Sequence, residues 1–132
     1  MVLISGNIMD QFIYKLKKML NNLIVGILYG IGGQIISFLQ LQGSVKWNWF
    51  TKYPILVLLS AIPSTYFYIK SVDSLVKYAD GELWPSRLIG FGIGIIIFTL
   101  MSWFLFNEHI SLKTFTCLVL AITIISIQIF WK

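Results

Sequence analysis

Four long stretches of apolar and uncharged polar residues dominate the chain, and charged residues occur only before, between and after them. The stretches cover Met19–Val45, Tyr53–Ile69, Leu88–Asn107 and Thr114–Trp131, with 27, 17, 20 and 18 residues. A helix needs about 20 mainly apolar residues to cross a bilayer. The runs are continuous rather than alternating, which argues against a membrane barrel. The pattern therefore predicts an all-α integral membrane protein with four transmembrane helices.

Local signals refine the ends of these spans. Pro63 removes a backbone hydrogen bond inside the second span and should kink it. Ser111 is a suitable N-cap for the last helix, and the preceding Asn107-Glu108-His109 is predicted to be a tight turn. We predict the four spans at Asn22–Leu41, Pro54–Lys70, Trp84–Phe106 and Ile110–Trp131.

The segment before the first span has the pattern of an amphipathic helix. Ile8, Phe12 and Leu16 recur at helical spacing, polar residues fall elsewhere on the wheel, and Asn7 is a candidate N-cap. Such a helix is expected to lie in the headgroup layer with its lysines toward anionic lipids, and the alternative is a partner-binding helix. We divide the chain into this N-terminal segment, residues 1–20, and a four-helix transmembrane domain, residues 21–132.

Composition and charge support a membrane location. Hydrophobic residues make up 58% of the chain and charged residues only 11%, far below the share in soluble domains. The net charge of +5 comes from residues beside the spans, which favours contact with membrane lipids and not with nucleic acid. Seven basic residues fall on the side of the termini and three on the other. The positive-inside rule then predicts that both termini are cytoplasmic, and we expect the plasma (inner) membrane.

The middle of every predicted span lacks an acidic, basic or histidine side chain. Proton-coupled transporters usually keep such a group within the membrane, so a proton relay is not expected. The chain has one cysteine, Cys117, and one histidine, His109. We therefore expect no metal site and no cofactor, and we predict that the protein is not an enzyme.

A few polar residues are candidates for binding a small-molecule substrate. Gln34 and Tyr66 could line a polar groove, although a buried amide can equally specify helix packing. Glu82, Trp84 and Arg87 cluster where the polar loop enters the third span. The Arg87 guanidinium suits a phosphate or carboxylate, but it could instead anchor the helix or pair with Glu82.

Small residues form two stripes that allow helices to approach closely. The stripes predict helix packing, either within one subunit or across a dimer interface. They consist of Gly26, Gly30, Gly33 and Ser37 on the first span, and Gly90 and Gly94 on the third.

Two segments in the second half of the chain form a recognisable hairpin: Trp84–Gly92, which opens a span, and Trp103–Ser111, which turns into the last helix. This hairpin resembles the closing hairpin of the drug/metabolite transporter superfamily. Members commonly carry a Leu-Phe-x-Glu-x-Leu-Ser/Thr turn there, and residues 106–111 (Phe-Asn-Glu-His-Ile-Ser) stand at those positions. The four-span length also matches the smallest members, the small multidrug resistance proteins and short flippase-like subunits.

The resemblance implies a four-helix unit that works as a dimer, with the ligand between the first three helices. The proton-coupled members carry a glutamate in their first helix, whereas this chain has Tyr29, Gln34 and Ser37 there. No proton-coupling residue is therefore carried over. The bias in basic residues favours a parallel homodimer, or pairing with another membrane chain, over an antiparallel dimer.

Two functions remain open from the sequence. The first is a drug/metabolite-transporter-like protein that moves a small or amphipathic solute without an embedded acid. The second is a non-transporting accessory subunit of a larger membrane complex. A polar pocket lined by the first three spans would favour the first, and a tightly packed interior would favour the second.

Overall fold

The structure is a computed structural model that describes residues 2–131, with side chains from Gly6 onward. The described residues form helices and short connections only. Four helical units are long and apolar enough to cross a membrane, by length and composition: α1, α3 together with α4, α5, and α6. The helices are α1 (Val2–Lys46), α2 (Trp49–Lys52), α3 (Pro54–Leu59), α4 (Ala61–Tyr78), α5 (Trp84–Phe106) and α6 (Leu112–Phe130).

The first helix is much longer than the span predicted for it. It runs through 45 residues, or about 67 Å at the usual helical rise, without a break near residue 20. The expectation that Asn7 caps this helix is wrong, because α1 already includes residues 2–6. The helix continues because the apolar spacing of Phe12, Leu16, Met19 and Leu23 leads directly into the first span, with no proline or helix-ending glycine between.

The second span is interrupted at Ser60, three residues before Pro63. The helix changes from α3 to α4 at Ser60, whose hydroxyl donates to the Val57 carbonyl at 2.5 Å. Pro63 has no N–H to donate to Leu59, which removes one helical hydrogen bond beside this interruption. The kink at Pro63 stays a prediction. The predicted end of this span at Lys70 was too early, because α4 continues to Tyr78. Its last two turns remain helical because they bury one face against the rest of the bundle.

The last hairpin also follows its local signals. Asn107 ends α5 in the left-handed conformation, with φ of 51°. The Ser111 side chain then accepts a hydrogen bond from the Thr114 backbone N–H, which confirms the predicted N-cap of α6.

Helices α1 and α4 pack against each other along the first stripe of small residues. Ser71 donates from its hydroxyl to the Gly26 carbonyl at 2.7 Å, and a Cβ on Gly30 would lie 3.0 Å from the same hydroxyl oxygen. Further along, the Ser37 and Ser64 hydroxyls share a hydrogen bond of 2.8 Å. Contact residues that follow one another along α1 meet residues in the reverse order along α4, with similar spacing. The stripe therefore lies in an antiparallel seam within one chain.

The remaining helices complete a bundle around α1. Helix α1 also packs against α5, and α6 packs mainly against the other side of α5. The best-buried side chains lie where α4 ends and α5 begins, which we call the inner end of the bundle; the opposite end is the outer end. This core consists of Leu23, Leu75, Tyr78, Ile89 and Ile93.

Candidate functional site

A groove of about 650 Å³ lies between α1, α4 and α5. Gly30 and Gln34 form its floor on α1, and residues of α4 from Tyr68 to Val72 form one wall. One face of α5, together with Leu83 just before it, forms the other wall, which extends along the helix as far as Thr99. The groove exists because the α1–α4 seam holds these two helices close together, while α5 contacts α4 over a much shorter length.

Glycines keep this groove open. A Cβ on Gly94 would lie 3.0 Å from the Gln34 amide nitrogen, so the Gln34 side chain would have to shift to make room for it. A Cβ on Gly90 would meet nothing within 4 Å, since this residue faces the empty part of the groove. The second stripe of small residues therefore borders a cavity, whereas the first lies in a helix–helix contact.

Most polar side chains that line the groove form hydrogen bonds within the protein. Their hydroxyl groups donate to oxygen atoms at distances of 2.7 to 3.0 Å, so these groups mainly stabilise the helix packing and the local backbone. The four bonds run from Tyr68 to the Ser37 hydroxyl, from Ser71 to the Gly26 carbonyl, from Ser86 to the Leu83 carbonyl, and from Thr99 to the Ile95 carbonyl.

Gln34 and Arg87 differ from these hydroxyls. Within residues 6–131, neither side chain makes a hydrogen bond or an ion pair, and both line the groove. Arg87 lies at the inner end, in the first turns of α5, and is exposed. Gln34 is half-buried beside Gly94, about 10 Å further along α5 at the helical rise. The groove thus offers a cation at its mouth and an amide midway along an otherwise apolar surface.

The structure brings only two of the five predicted binding residues together. Tyr66 points away from the groove, where its ring lies 6.5 Å from that of Tyr29 and beneath the Lys70 ammonium. Glu82 and Trp84 are exposed in and just after the α4–α5 connection and do not line the groove. In the described part of the chain, Glu82 forms no ion pair with Arg87.

Sequence reasoning did not place the aromatic residues of the groove. Tyr68, Phe91 and Phe98 all line it. Phe98 follows Phe91 by seven positions, or about two helical turns. Both residues therefore lie near the Gly90–Gly94 stripe on α5. The pattern did not reveal that this face borders a cavity, because an apolar face toward lipid has the same pattern.

Aromatic rings lie at the outer end of the groove. The Phe38 ring lies 5.3 Å from Phe98 and 5.6 Å from Phe106, and Trp47 lies 5.2 Å from Phe106. We call Phe38, Trp47, Phe98 and Phe106 the aromatic cluster. Phe98 belongs both to this cluster and to the lining of the groove.

An ion pair lies over this aromatic cluster. Lys46 is 3.8 Å from Glu108, and both side chains are about half exposed, at 50% and 54%. Exposed pairs contribute little because water screens them. We expect Glu108→Gln to lower the free energy of unfolding by less than about 0.5 kcal/mol, measured by detergent titration of the full chain. Glu82→Gln is the matched control, and a loss above about 1 kcal/mol for Glu108→Gln alone would contradict the weak role assigned to the pair.

The described residues bring together no group of three His, Cys, Asp or Glu side chains that could hold a metal ion. No family model, no curated protein and no solved structure matches the chain. The likeness to the drug/metabolite transporter superfamily therefore rests on the residues quoted above and stays a prediction.

Proposed function

We propose that this protein spans the membrane four times and that its groove binds and moves a small or amphipathic solute. The observation that carries the proposal is the pair Gln34 and Arg87. They are the polar side chains of the groove that the described chain leaves without a partner. Gln34 is half-buried and Arg87 is exposed at the mouth, so an amide and a guanidinium that face one cavity are free to bind a ligand through hydrogen bonds.

The placement in the bilayer follows from length and from interfacial residues. Trp47, Trp49 and Lys52 follow the end of α1, and such residues favour the membrane–water boundary. A hydrocarbon core of about 30 Å then takes about 20 residues of α1 before this point. Arg87 and the last turns of α4 lie near the opposite boundary. We place this inner end and both termini in the cytoplasm, from the distribution of basic residues, and we propose the plasma (inner) membrane.

We propose that the N-terminal part of α1 lies at the cytoplasmic headgroup layer. Ile8, Phe12 and Leu16 are exposed, so the rest of the chain does not cover them. Lys15 and Lys17 would contact anionic headgroups while the apolar side chains enter the boundary of the hydrocarbon. Since α1 is continuous, this placement requires the helix to bend or tilt where it leaves the bundle.

Movement of a solute requires the outer end to open. In the described conformation, the groove reaches the inner end at Arg87 and ends at the aromatic cluster. Separation of Phe38 from Phe98 would connect the groove to the outer side. No acidic side chain lines the groove, so we propose movement without proton coupling through an embedded carboxylate.

An accessory subunit is the second candidate, and the exposure of α6 favours it. Ala121 is the buried residue of α6, and large side chains such as Phe115 and Leu120 are exposed. Lipid would cover this surface in a monomer. A second copy in a parallel homodimer, or another membrane chain, could also cover it. A subunit that only assembles would not need its groove to open on both sides.

Thiol accessibility separates the two candidates without knowledge of the solute. We expect Ile95→Cys, in a Cys117→Ala background, to react with a membrane-impermeant maleimide from either side of sealed vesicles. Ile95 lines the groove between Gln34 and the aromatic cluster, and a transporter must expose this region to each side in turn. Leu120→Cys on α6 is the control and should react from neither side, because it faces lipid or a partner.

Reaction of Ile95→Cys from one side only, in every condition tested, would contradict transport. Extraction in mild detergent, followed by size exclusion with mass detection, then identifies the assembly. A dimer of this chain alone supports the transporter. Stoichiometric co-elution with an unrelated membrane chain, together with one-sided labelling, supports the accessory subunit.

A further inference from the structure

We propose that the ligand of the groove is a membrane lipid with an anionic phosphate headgroup, bound with its phosphate at Arg87. This inference rests on the proposed function, because it names the class of solute that the same groove takes. It follows from three features: the direction in which the groove opens, its length, and the charged side chain at one end of an otherwise mainly apolar groove.

The groove opens sideways, between α4 and α5. Its rim carries Val72, Phe91 and Phe98, which are apolar and exposed at 44%, 58% and 46%. With the bundle in a bilayer, this rim faces hydrocarbon for most of its length, and only the Arg87 end reaches the headgroup layer. A ligand that enters through such an opening comes from the bilayer, so it must itself be an amphiphile.

The length of the groove matches one leaflet. From Arg87 to Phe98, α5 rises about 16 Å, close to half of the hydrocarbon core of about 30 Å. A single lipid tail could therefore lie along Phe91, Ile95 and Phe98 with its headgroup at Arg87. Gly90, where a Cβ would meet nothing within 4 Å, leaves part of the space that such a tail needs.

The charge at the mouth selects the headgroup. Arg87 has no acidic partner among the described residues, whereas the nearby Lys77 is already paired with Asp73 at 2.8 Å. Guanidinium binds phosphate through two parallel hydrogen bonds. Its position in the first turns of α5 adds the positive end of the helix dipole. Both effects favour a phosphate headgroup with a net negative charge over one in which a cationic group offsets the phosphate.

Gln34 lies deeper in the groove than Arg87. Its amide lies about 10 Å beyond Arg87 along α5, between apolar walls. Phe91 lies between these two levels, so Gln34 faces the tail region of such a ligand and not its headgroup. Arg87 and Phe98 mark the charged and the apolar end of the groove, which is the arrangement that suits a lipid with an anionic headgroup.

Photolabelling of the full chain in nanodiscs tests this inference. The discs consist of phosphatidylcholine with a trace of phosphatidylglycerol or phosphatidylcholine that carries a diazirine in the acyl chain. Peptide mass spectrometry measures labelling of residues 90–99. We expect about tenfold more labelling from phosphatidylglycerol than from phosphatidylcholine, as a charge-assisted pair implies. Equal labelling by the two lipids would overturn the inference.

Two pairs of variants sharpen the result. Arg87→Gln should reduce phosphatidylglycerol labelling to the level of phosphatidylcholine. Lys70→Gln, which removes a charge near the same end of the bundle but outside the groove, should leave it unchanged. Gly90→Leu should reduce labelling by both lipids because its side chain fills the groove without a clash, and Gly90→Ala should reduce it less. Unchanged labelling in Arg87→Gln, or an equal loss in Lys70→Gln, would overturn the assignment of the headgroup.

Competition identifies the source of the phosphate. Excess unlabelled phosphatidylglycerol should remove the labelling, and inorganic phosphate at the same concentration should not. Displacement by inorganic phosphate would instead assign a free anion and overturn the lipid. Failure of this inference is distinguishable from failure of transport: two-sided reactivity of Ile95→Cys without phosphatidylglycerol selectivity keeps the transporter and rejects this ligand.

Discussion

Replacing Phe38 with alanine is expected to destabilise the bundle more than truncation of any other aromatic ring in the aromatic cluster. Phe38 is only 4% exposed, and its ring contacts those of Phe98 and Phe106. Such truncations typically cost about 3–5 kcal/mol in soluble cores. Separated helices in a bilayer also lie in apolar surroundings. We therefore expect about 2 kcal/mol, mainly from lost ring contacts and the remaining cavity, measured by detergent titration of the folded protein.

Phe104→Ala is the matched control, because Phe104 lies on α5 but is 78% exposed. It should change the free energy of unfolding by less than about 0.5 kcal/mol. Phe38→Ala should also raise the reactivity of Ile95→Cys from the outer side, since the aromatic cluster lies at that end of the groove. Equal stability losses in the two variants would show that the cluster contributes no specific packing. Unchanged outer reactivity would show that it does not close the groove.

Replacing Gly92 with leucine is expected to disrupt the packing of α6 against α5. A Cβ on Gly92 would lie 2.6 Å from Ile125 and 3.1 Å from the backbone oxygen of Ala121. The side chain of Ile125 can rotate, but the Ala121 backbone cannot yield without a shift of α6. Overpacking typically costs about 1–3 kcal/mol, and we expect the upper part of that range, measured in the same titration.

Gly90→Leu on the same helix separates this effect from the cost of a larger residue as such. Gly90 faces open space, and leucine favours helix over glycine by nearly 1 kcal/mol. We therefore expect Gly90→Leu to keep or raise the stability while it blocks the groove. A similar destabilisation by both substitutions would mean that Gly92 does not hold the α5–α6 contact described above.

These predictions bear on how the two glycine stripes divide their roles. Gly26 and Gly30 bring backbones together in the α1–α4 seam, where Leu75 and Ser71 occupy the space a side chain would take. Gly90 instead leaves a cavity. Glycines at the same spacing thus allow a helix–helix contact in α1 and border a cavity in α5. The difference depends on whether a side chain of the facing helix fills the space beside the glycine.

Much of the helical layout could be predicted from local sequence. Ser111 caps α6, the break between α3 and α4 lies three residues before Pro63, and Pro85 stands in the first turn of α5. These are short-range effects, because a missing N–H or a side-chain acceptor acts within one turn. The exception is α1, where the expected change of helix near residue 20 does not occur, because an amphipathic segment and an apolar span share one helical period.

By itself, the sequence determined that this chain forms four long apolar helices, since the lengths of its uncharged stretches match the thickness of a bilayer. Which faces meet was decided only by the tertiary structure. Gln34 and Arg87 belong to different helices, and the groove brings them together, whereas Tyr66, Glu82 and Trp84 remain outside it. The physical reason is that lipid accepts any apolar face. Hydrophobicity therefore does not determine which helices pack against each other. Close packing at glycines and a few hydrogen bonds between helices determine it.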